Sequence, residues 1–514
     1  MSGPASMLRR PAAAAARPVP QPTGASALDA DRRARELHEL GSTDRPVDLL
    51  VIGGGVTGAG VALDAASRGL SVVLAEAHDL AFGTSRWSSK LVHGGLRYLA
   101  SGDVAVASES ARERHLLMTA VAPHLVHPLP QLLPRLPAIG AKQRAATRIG
   151  VALGDGLRRW AGTPDSVLPA PRRVRRHEAL GLFPALRRQG LGGGMVSYDG
   201  QLDDDARLVV AIARTAAAYG ATVLTRMRAS EVSGDGALLR DGLSGESLRV
   251  RARAVVNASG VWASQIDPGI RLRPSRGAHI VLDAARLGGP TAALTVPHPG
   301  SISRFVFALP QRLGRVLVGL TDEEAPGPVA DVPEPSEGEI SFLLDTISQA
   351  LETPLSRGDV RGAFAGLRPL IDSEGATADL SRRHHVAVGG SGVVNVLGGK
   401  LTTYRAMAED AVDLACREAG LPDPGCVTAR LPLVGAPASP VEDAPAPACD
   451  RPGEAIAPGI GVTRAEVAFA VAAEGALDVD DVLDRRTRIG LVAEDSERAH
   501  DAVALLVAET GRGA

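Results

Sequence analysis

Three glycines at fixed spacing could hold a diphosphate. Gly53, Gly55 and Gly58 follow a short apolar run and open a helical pattern, and Glu76 ends the apolar run that comes next. In a G-x-G-x-x-G turn the first glycine makes the tight turn, the second lets backbone N–H groups approach a pyrophosphate, and the third lets the helix pack close to the sheet. Glu76 is placed to accept hydrogen bonds from a ribose diol. The pattern predicts a dinucleotide site; the alternative is a glycine-rich turn in another α/β fold.

Two further segments are rich in glycine, hydroxyl and basic side chains. Residues 82–98 directly follow the second strand, and residues 398–405 read GGKLTTYR. The sequence SSKLVHGGLRYL within the first segment, together with GGKLTTYR, resembles the signatures of FAD-dependent glycerol-3-phosphate dehydrogenases, in the D-amino-acid-oxidase-like flavoprotein superfamily. The resemblance runs from about Asp48 to the C-terminus. It implies that the dinucleotide is FAD, which the glycine fingerprint alone does not distinguish from NAD.

The resemblance implies FAD contacts beyond the glycine turn. In this family the loop after the second strand lies along the pyrophosphate and isoalloxazine, and the turn after the strand at 254–257 makes another contact. Thr402 and Thr403 begin a helix whose N-terminal dipole would favour an anionic flavin. The expected cofactor contacts are Gly53, Gly55, Gly58, Glu76, Thr84, Ser85, Ser88, Ser89, Lys90, His93, Gly94, Ser259, Gly260, Gly399, Lys400, Leu401, Thr402 and Thr403.

The same resemblance implies a substrate-binding group. The family uses arginines, a tyrosine and the lysine of GGKLTTYR, which gives Arg97, Tyr98, Arg368 and Lys400 in this sequence. Arginine suits phosphate because its planar guanidinium donates hydrogen bonds in pairs. For any one arginine the alternative is a surface salt bridge. Lys400 could instead stabilise negative charge on the reduced flavin, or be a solvated lysine in a capping turn.

A base must also remove the hydroxyl proton of the substrate. His279 lies in a segment that resembles the family's G-x-H-I-V sequence facing the flavin. An unperturbed imidazole, with a pKa of about 6.5, suits this task near neutral pH. His279 is therefore the expected base, and His93 is the second candidate; the alternative is a histidine that only orients substrate or satisfies a strand edge. The expected catalytic residues are His279, Arg368 and Lys400.

Elements of two kinds must position these residues. Residues 277–320 alternate strands with Pro/Gly turns, as an antiparallel domain does, whereas the glycine fingerprint belongs to a parallel sheet. The expected fold is α/β, with a FAD-binding Rossmann-like domain, an inserted antiparallel-sheet substrate domain and a small C-terminal helical domain. The catalytic region is predicted at 46–433, with FAD-binding parts at about 46–120, 196–265 and 360–420 and substrate parts at about 121–195 and 266–359.

The two ends of the chain differ in composition from its middle. Residues 1–45 are rich in Ala, Pro and Arg and are predicted to be a disordered extension. Residues 434–460 are predicted to be a Pro/Ala-rich linker, and residues 461–514 a helical C-terminal domain. The run DRRTR at 484–488 resembles the family's C-terminal domain, although the helical stretch before it is shorter than usual.

Composition argues against several other classes of protein. The net charge is −2 over 514 residues, so no basic excess indicates nucleic-acid binding. Three cysteines without a C-x-x-C motif indicate a reducing compartment, and no metal site is expected. No apolar run is long enough for a transmembrane helix. The expected location is the cytoplasm.

Residues 139–160 predict an amphipathic helix that could lie on a membrane. A basic amphipathic helix with a terminal Trp is typical of a protein on an anionic surface; the alternative is a helix packed on the protein's own cap domain. The family passes electrons to membrane quinone, which favours peripheral attachment at the inner face of the cell membrane. The apolar face holds Ile139, Ala146, Ile149, Leu153, Leu157 and Trp160, and the opposite face holds Arg144, Arg148, Arg158 and Arg159.

The reaction implied by the resemblance is the oxidation of sn-glycerol 3-phosphate to dihydroxyacetone phosphate, in glycerol and glycerophosphate catabolism. A hydride would pass from C2 to flavin N5, and the electrons would then pass to a quinone. One alternative is an oxidase that uses oxygen, although such oxidases tend to carry an insertion not seen here. Another is an amine or 2-hydroxy-acid oxidase, which would need a carboxylate clamp. A flavin-binding protein without catalysis should have lost some of these site residues. A homodimer is left open.

Overall fold

The computed structural model describes residues 17–95, 103–137, 141–298, 304–372 and 383–511, and only the backbone within 141–147. Arg97 and Tyr98, expected at the substrate, lie outside the described residues, as do residues 1–16 of the expected N-terminal extension. Ile139 and the side chains of Arg144 and Ala146, expected on the amphipathic helix, also lie outside them.

Strands and helices are numbered along the chain. The strands are β1 (Val47–Ile52), β2 (Val72–Ala75), β3 (Leu91–Val92), β4 (Val126–Pro134), β5 (Arg172–Val174), β6 (Gly194–Leu202), β7 (Thr222–Leu224), β8 (Met227–Ser233), β9 (Gly236–Asp241), β10 (Ser247–Asn257), β11 (Ser275–Asp283), β12 (Ala293–Pro297), β13 (Phe305–Gln311), β14 (Arg315–Gly319), β15 (Glu323–Glu324), β16 (Val360–Arg368), β17 (His384–Val388), β18 (Val394–Gly398), β19 (Ala455–Ala457) and β20 (Ile460–Thr463). The helices are α1 (Ala30–Gly41), α2 (Val56–Ser67), α3 (Val104–Leu116), α4 (Ala141–Trp160), α5 (Arg176–Leu182), α6 (Asp205–Ala218), α7 (Ala263–Ile266), α8 (Glu337–Ser348), α9 (Tyr404–Ala419), α10 (Arg464–Ala472) and α11 (Ala493–Thr510).

The glycine turn follows the central strand of a largely parallel sheet. Its strand order is β17-β18-β10-β1-β2-β7, parallel except for β17, so the carboxyl ends of the parallel strands meet at one edge. Leu49 and Val51 of β1 join the core formed with α2, α6 and α9, whereas Leu50 and Ile52 join the core formed with the antiparallel strands β8 and β9. Burial of both faces explains the continuous apolar runs.

A second sheet is antiparallel apart from one parallel pair, β4 with β12. Its order is β15-β11-β14-β13-β12-β4-β6-β3, with β16 paired to β11 and β5 to β6. Helices α5 and α8 contribute to its apolar core. Strands β3 and β16 and most of β6 belong to this sheet although they lie within the chain segments expected to bind FAD, so the two domains share those segments. The arrangement is the inserted antiparallel domain that the sequence predicts.

Helix α1 departs from the disorder that composition predicts for residues 1–45. Arg32 donates a hydrogen bond to the Ala217 carbonyl at 3.0 Å, and Arg33 pairs with Asp241 at 2.8 Å. These partners lie far along the chain, so composition alone cannot reveal them. The expectation of disorder does not hold for this helix.

The segment before α1 forms hydrogen bonds with the C-terminal part of the chain. The Ser26 hydroxyl donates to the Glu442 carbonyl at 2.9 Å, and the Leu28 N–H donates to the Ala473 carbonyl at 3.0 Å. Residues 434–454, within the expected linker, contain neither helix nor strand. The C-terminal domain that follows packs α10, α11 and the β19–β20 hairpin around its own apolar core.

Candidate active site

The glycine turn and the antiparallel sheet contribute to the wall of one cavity, whose volume is about 1150 Å³. Its wall also includes the loop after β2, the end of β10 and the start of α9. The expected site residues on this wall are Gly53, Gly55, Glu76, Thr84, Ser85, Ser88, Ser89, His93, Ser259, Gly260, His279, Arg368, Gly399, Lys400, Leu401 and Thr402.

The glycine turn fits a diphosphate group. Gly53 has a φ of 109°, and a Cβ there would lie 2.6 Å from the Ala258 carbonyl oxygen. Gly55 is the N-cap of α2 and has no side chain to cover the helix N-terminus, which reaches the cavity wall. Ser85 accepts a hydrogen bond from the Val56 N–H at 2.9 Å. A helix N-terminus of this kind favours an anion.

Glu76 is fixed at the cavity wall by backbone groups. Its two oxygens accept hydrogen bonds from the N–H groups of Gly54 at 2.6 Å and His78 at 2.7 Å. Burial raises the pKa of Glu76, although these hydrogen bonds act in the opposite direction. Each carboxylate oxygen has more than one lone pair, so the group retains the capacity to accept from a diol.

Three expected cofactor contacts serve the surrounding structure instead of the cavity wall. A Cβ on Gly58 would lie 1.8 Å from the Gly53 carbonyl oxygen, so this glycine permits the turn itself. A Cβ on Gly94 would lie 2.2 Å from Arg114 Nη1. The Thr403 hydroxyl donates to the Lys400 carbonyl at 3.3 Å and thereby shapes the turn before α9.

Lys90 also differs from its expected role as a cofactor contact. Its buried ammonium donates to Asp205 at 2.7 Å and to the Arg86 carbonyl at 2.9 Å, and the residue does not line the cavity. Burial lowers the pKa of Lys90, as does the nearby cation of Arg488. The position within a glycine- and hydroxyl-rich loop does not reveal that Asp205 holds this side chain inside the protein.

Glycines make room for the expected catalytic side chains on one face of β11, β14 and β16. Ser275, Gly277 and His279 alternate along β11 and therefore share a face, and Arg368 of β16 lies opposite Ser275. A Cβ at Gly277 would lie 2.3 Å from Arg368 Nη2, and a Cβ at Gly319 of β14 would lie 2.1 Å from the His279 ring. Neither side chain could keep its position if these glycines were larger.

Hydrogen bonds to neighbouring residues hold the Arg368 guanidinium in place. Nη1 lies 3.1 Å from Asp322 Oδ1 and 3.2 Å from the Ser275 hydroxyl, and Nη2 donates to the Thr321 carbonyl at 3.2 Å. The side chain is 19% exposed and lies on the cavity wall. Asp322 thus orients a cation that faces the cavity.

His279 is buried and electrically neutral around pH 7. Its Nε2 lies 2.8 Å from the Ser89 hydroxyl, and its ring stacks on Phe364 with centroids 4.9 Å apart. Burial, together with the cations of Lys90 and Arg368, lowers the pKa of His279 to about 3. The imidazole is consequently a far weaker base than an unperturbed histidine.

His93 has a different environment on the same cavity wall. Its Nδ1 lies 3.3 Å from Asp199, which also accepts hydrogen bonds from Arg114 at 2.6 Å and the Gly94 N–H at 3.1 Å. Arg114 and His93 hold the pKa of Asp199 below its usual value, despite the opposing effect of burial. A hydrogen bond from Nδ1–H to this carboxylate leaves Nε2 as the proton acceptor.

Lys400 links the GGKLTTYR motif to α3. Its ammonium donates to the Ser110 hydroxyl at 2.7 Å and lies on the cavity wall. Arg405, in the same motif, forms a buried pair with Glu113 of α3 at 2.7 Å. The motif therefore combines residues at the cavity, Lys400 among them, with an arginine that joins two helices, a division that its sequence does not reveal.

Helix α4 lies beside the cavity and contributes apolar residues to it. Ile149 and Leu153 line the cavity and are 64% and 51% exposed, whereas Leu157 is buried against α3. Arg158, expected on the outer basic face, is buried and pairs with Asp155 at 2.8 Å and Asp165 at 2.7 Å. Arg158 also donates to the buried Thr163 carbonyl at 2.8 Å. Among the described residues, no helix is long and apolar enough to cross a membrane.

Comparison with known proteins identifies the family to which this chain belongs. Residues 48–405 match the family described as FAD dependent oxidoreductase, and residues 438–511 match the C-terminal domain of alpha-glycerophosphate oxidase. The chain is 55% identical over 500 residues to glycerol-3-phosphate dehydrogenase 1 of Mycobacterium tuberculosis, which covers 92% of this chain and 97% of that protein. The chain belongs to the family of FAD-dependent glycerol-3-phosphate dehydrogenases. It is an oxidoreductase with FAD as cofactor, as the two signature motifs predict.

Relatives in this family extend beyond bacteria. Glycerol-3-phosphate dehydrogenase 2 of M. tuberculosis is 37% identical over 523 residues, which cover 92% of this chain and 87% of that protein. A mitochondrial glycerol-3-phosphate dehydrogenase of Arabidopsis thaliana is 40% identical over 433 residues, which cover 79% of this chain and 66% of that protein.

Solved structures confirm the predicted fold of this family member. The glycerol-3-phosphate dehydrogenase from Bacillus halodurans complexed with FAD has a TM-score of 0.70 at 24% identity, covering 95% of this chain and 94% of that chain. L-alpha-glycerophosphate oxidase from Mycoplasma pneumoniae with FAD bound has a TM-score of 0.56 at 17% identity, covering 76% of this chain and 99% of that chain.

The His, Cys, Asp and Glu side chains of the described residues form no group that could hold a metal ion.

Proposed function

We propose that this protein oxidises sn-glycerol 3-phosphate to dihydroxyacetone phosphate. The observation that carries the proposal is a fixed cation, Arg368, on the same cavity wall as a carboxylate-oriented histidine and the diphosphate-binding turn. Relatives at 55% and 37% identity are named glycerol-3-phosphate dehydrogenases. FAD, when bound, supplies the acceptor for the hydride that leaves C2 of the substrate.

The phosphate of the substrate would bind at Arg368 and Lys400. Both side chains line the cavity, and Asp322 and Ser110 respectively hold them in place. An oriented guanidinium donates two hydrogen bonds to a phosphate at a smaller cost in side-chain entropy than a mobile one. Arg97 and Tyr98 stay predicted members of this group on the strength of their motif. A substrate with a carboxylate in place of the phosphate would need fewer cations to bind it.

We infer that His93 removes the hydroxyl proton and that His279 orients the site. Asp199 fixes the His93 ring and stabilises the imidazolium that would form on proton uptake. His279 has a low pKa and binds Ser89, which suits a neutral residue that positions the flavin loop. Sequence reasoning ranks these two histidines in the opposite order, because it relies on the resemblance of the His279 segment to the family and on an unperturbed pKa.

We also propose a quinone as electron acceptor and peripheral attachment to an anionic membrane. The exposed Ile149 and Leu153 lie on the cavity wall, and Arg148 and Arg159 are exposed on the same helix. An apolar acceptor dissolved in lipid could approach the cavity along such a surface, and the arginines would be attracted to anionic headgroups. Oxygen as acceptor is the alternative to be separated by experiment.

The central test compares Arg368→Ala with Arg361→Ala, a matched change on the same strand. Arg361 pairs with Glu494 and does not line the cavity. Loss of charge-assisted hydrogen bonds to phosphate should raise KM for glycerol 3-phosphate by roughly 10- to 100-fold in the first variant only. FAD content should stay unchanged in both. KM would be measured with a redox dye under nitrogen.

Three outcomes would overturn the proposal or part of it. Equal KM values in the two variants would show that the substrate phosphate does not bind at Arg368. Flavin reduction by glycine or lactate, with none by glycerol 3-phosphate, would assign an amine or 2-hydroxy-acid oxidase. If air reoxidised the reduced flavin as fast as a soluble quinone analogue does, the protein would be an oxidase and the proposed quinone acceptor would be wrong.

A further inference from the structure

The C-terminal domain contributes no described residue to the cavity wall, yet one of its side chains reaches the loop that forms part of that wall. Arg488 is buried and has a left-handed backbone, with a φ of 63°. Its Nη2 donates to the Arg86 carbonyl at 2.6 Å, and its Nε forms an ion pair with Asp204 at 3.0 Å. A single guanidinium therefore joins the C-terminal domain, the loop at 84–90 and the start of α6.

Trp87 is the side chain of this loop that transmits the contact to the cavity. Its ring lies beneath two guanidinium groups, with Arg86 Cζ 4.2 Å and Arg488 Cζ 5.4 Å from the ring centroid. Its other neighbours are the Phe364 ring and Gly366, where a Cβ would lie 2.6 Å from Trp87 Cβ. Trp87 lines the cavity, so the stacked cations fix part of the cavity wall.

The hydroxyl side chains of the loop depend on the same network. Asp205, next to Asp204, accepts from Ser88 Oγ at 2.7 Å and from Lys90 Nζ at 2.7 Å. Lys90 in turn donates to the Arg86 carbonyl, which also accepts from Arg488. Ser88 lies on the cavity wall, so a shift of Arg488 would reach it through both Asp204 and Arg86.

The C-terminal domain is anchored where this contact is made. Arg485 and Arg486 form buried pairs with Asp79 of the FAD-binding domain at 2.6 and 2.8 Å. Arg86 pairs with Asp484 at 2.9 Å. These pairs bring the DRRTR run to the back of the loop and leave Arg488 as the member that touches both Arg86 and Trp87.

We propose that Arg488 is a positioning residue for FAD: the C-terminal domain uses it to hold residues 84–90 in the conformation that retains the cofactor. The inference rests on FAD as cofactor and does not depend on which substrate is oxidised. It predicts that FAD leaves the holoenzyme faster when Arg488 is changed, although Arg488 does not line the cavity.

The test compares Arg488→Met and Arg488→Lys with Arg498→Met, a control in the same domain. Arg498 is 41% exposed and pairs with Asp495 on α11. FAD release from each holoenzyme would be followed by the rise in flavin fluorescence after dilution, and amide hydrogen exchange would be followed over residues 84–90 and α11. Arg488→Met should release FAD about tenfold faster or more, in line with the loss of a charge-assisted hydrogen bond.

Exchange over residues 84–90 should increase in Arg488→Met while exchange in α11 stays as in the control, and Arg488→Lys should recover part of the effect. A milder variant, Asp484→Asn, weakens the pair with Arg86 at a carboxylate that is 37% exposed; it covers the case in which Arg488→Met fails to fold, and should give a smaller change in the same direction. FAD release within twofold of the control in every folded variant would overturn the proposal. So would faster exchange in α11 alone, which would assign Arg488 to domain stability only.

Discussion

Two histidines reach the cavity from different strands, and their surroundings give them different chemistry. His93 follows β3 and shares its Nδ1 with a buried carboxylate, whereas His279 in β11 is enclosed by an aromatic ring and two cations. A histidine buried among cations loses basicity, because burial and the nearby positive charges disfavour the imidazolium. The type of residue alone could not separate these roles, because Asp199 is contributed by a strand far from either histidine in sequence.

At this residue scale we expect His93→Asn to slow flavin reduction by glycerol 3-phosphate by roughly 10²–10⁴-fold, the usual effect of losing a general base. His279→Asn should have a smaller effect, because its imidazole is already a weak base. Anaerobic stopped-flow absorbance would measure both rates, with His385→Asn on β17 as a control. A larger loss in His279→Asn than in His93→Asn would return the base to His279.

The low pKa of His279 also predicts a pH dependence of stability. The unfolded chain binds a proton at this residue below a pH of about 6.5, whereas the folded protein does so only below about 3. The free energy of unfolding should therefore fall as pH falls through this window. His279→Gln should reduce that slope by up to about 1.4 kcal/mol per pH unit, as measured by urea unfolding at several pH values. Parallel profiles for the two proteins would show that His279 titrates normally.

At the scale of elements, local patterns predicted well where neighbours in sequence determine the structure. The β1–turn–α2–β2 unit follows from apolar runs, glycines and helical spacing, all within one short segment. Lys90 and Arg158 were misplaced because Asp205 and the Thr163 carbonyl, respectively, accept hydrogen bonds from them inside the protein, and helix or loop patterns do not encode such partners. Trp87 was missed as a support of the site, since the contacts that define it come from another strand and from the C-terminal domain.

Helix α4 offers a test of membrane attachment, and its buried Arg158 provides the control. Arg148→Gln with Arg159→Gln removes exposed charge and should release the protein from anionic vesicles, in proportion to the lost electrostatic attraction. Turnover with a soluble dye should survive. Vesicle sedimentation at low and high salt would measure binding, because salt screens the charged contribution.

Arg158→Gln is the matched control for this helix. It removes a charge of the same sign from a buried ion-paired site, so it should lower the thermal stability and leave vesicle binding in place. Equal binding by the double variant and the unchanged protein would favour a helix that packs only on the protein's own cap.

At the scale of the whole molecule, buried charge pairs connect the C-terminal domain with the FAD-binding domain. Asp79→Asn should leave Arg485 and Arg486 without their shared partner and lower the free energy of unfolding by about 3–5 kcal/mol, the usual cost of breaking a buried pair. Urea unfolding would measure this change. Asp450→Asn, in an exposed pair with Arg451, should change stability by less than about 1 kcal/mol; similar losses in both variants would contradict a special role for Asp79.

The contacts of Ser26 and Leu28 limit when the N-terminal segment can reach its folded position during synthesis. Ser26 binds a carbonyl 416 residues further along the chain, so its partner does not exist when the N-terminal segment leaves the ribosome. At roughly 5–20 residues per second, the segment waits on the order of 20–80 s before Glu442 is synthesised. The parallel sheet can form first, but Ser26 and Leu28 can make these contacts only after Glu442 and Ala473 have been synthesised. The segment before α1 therefore completes its contacts late, once the C-terminal part of the chain is present.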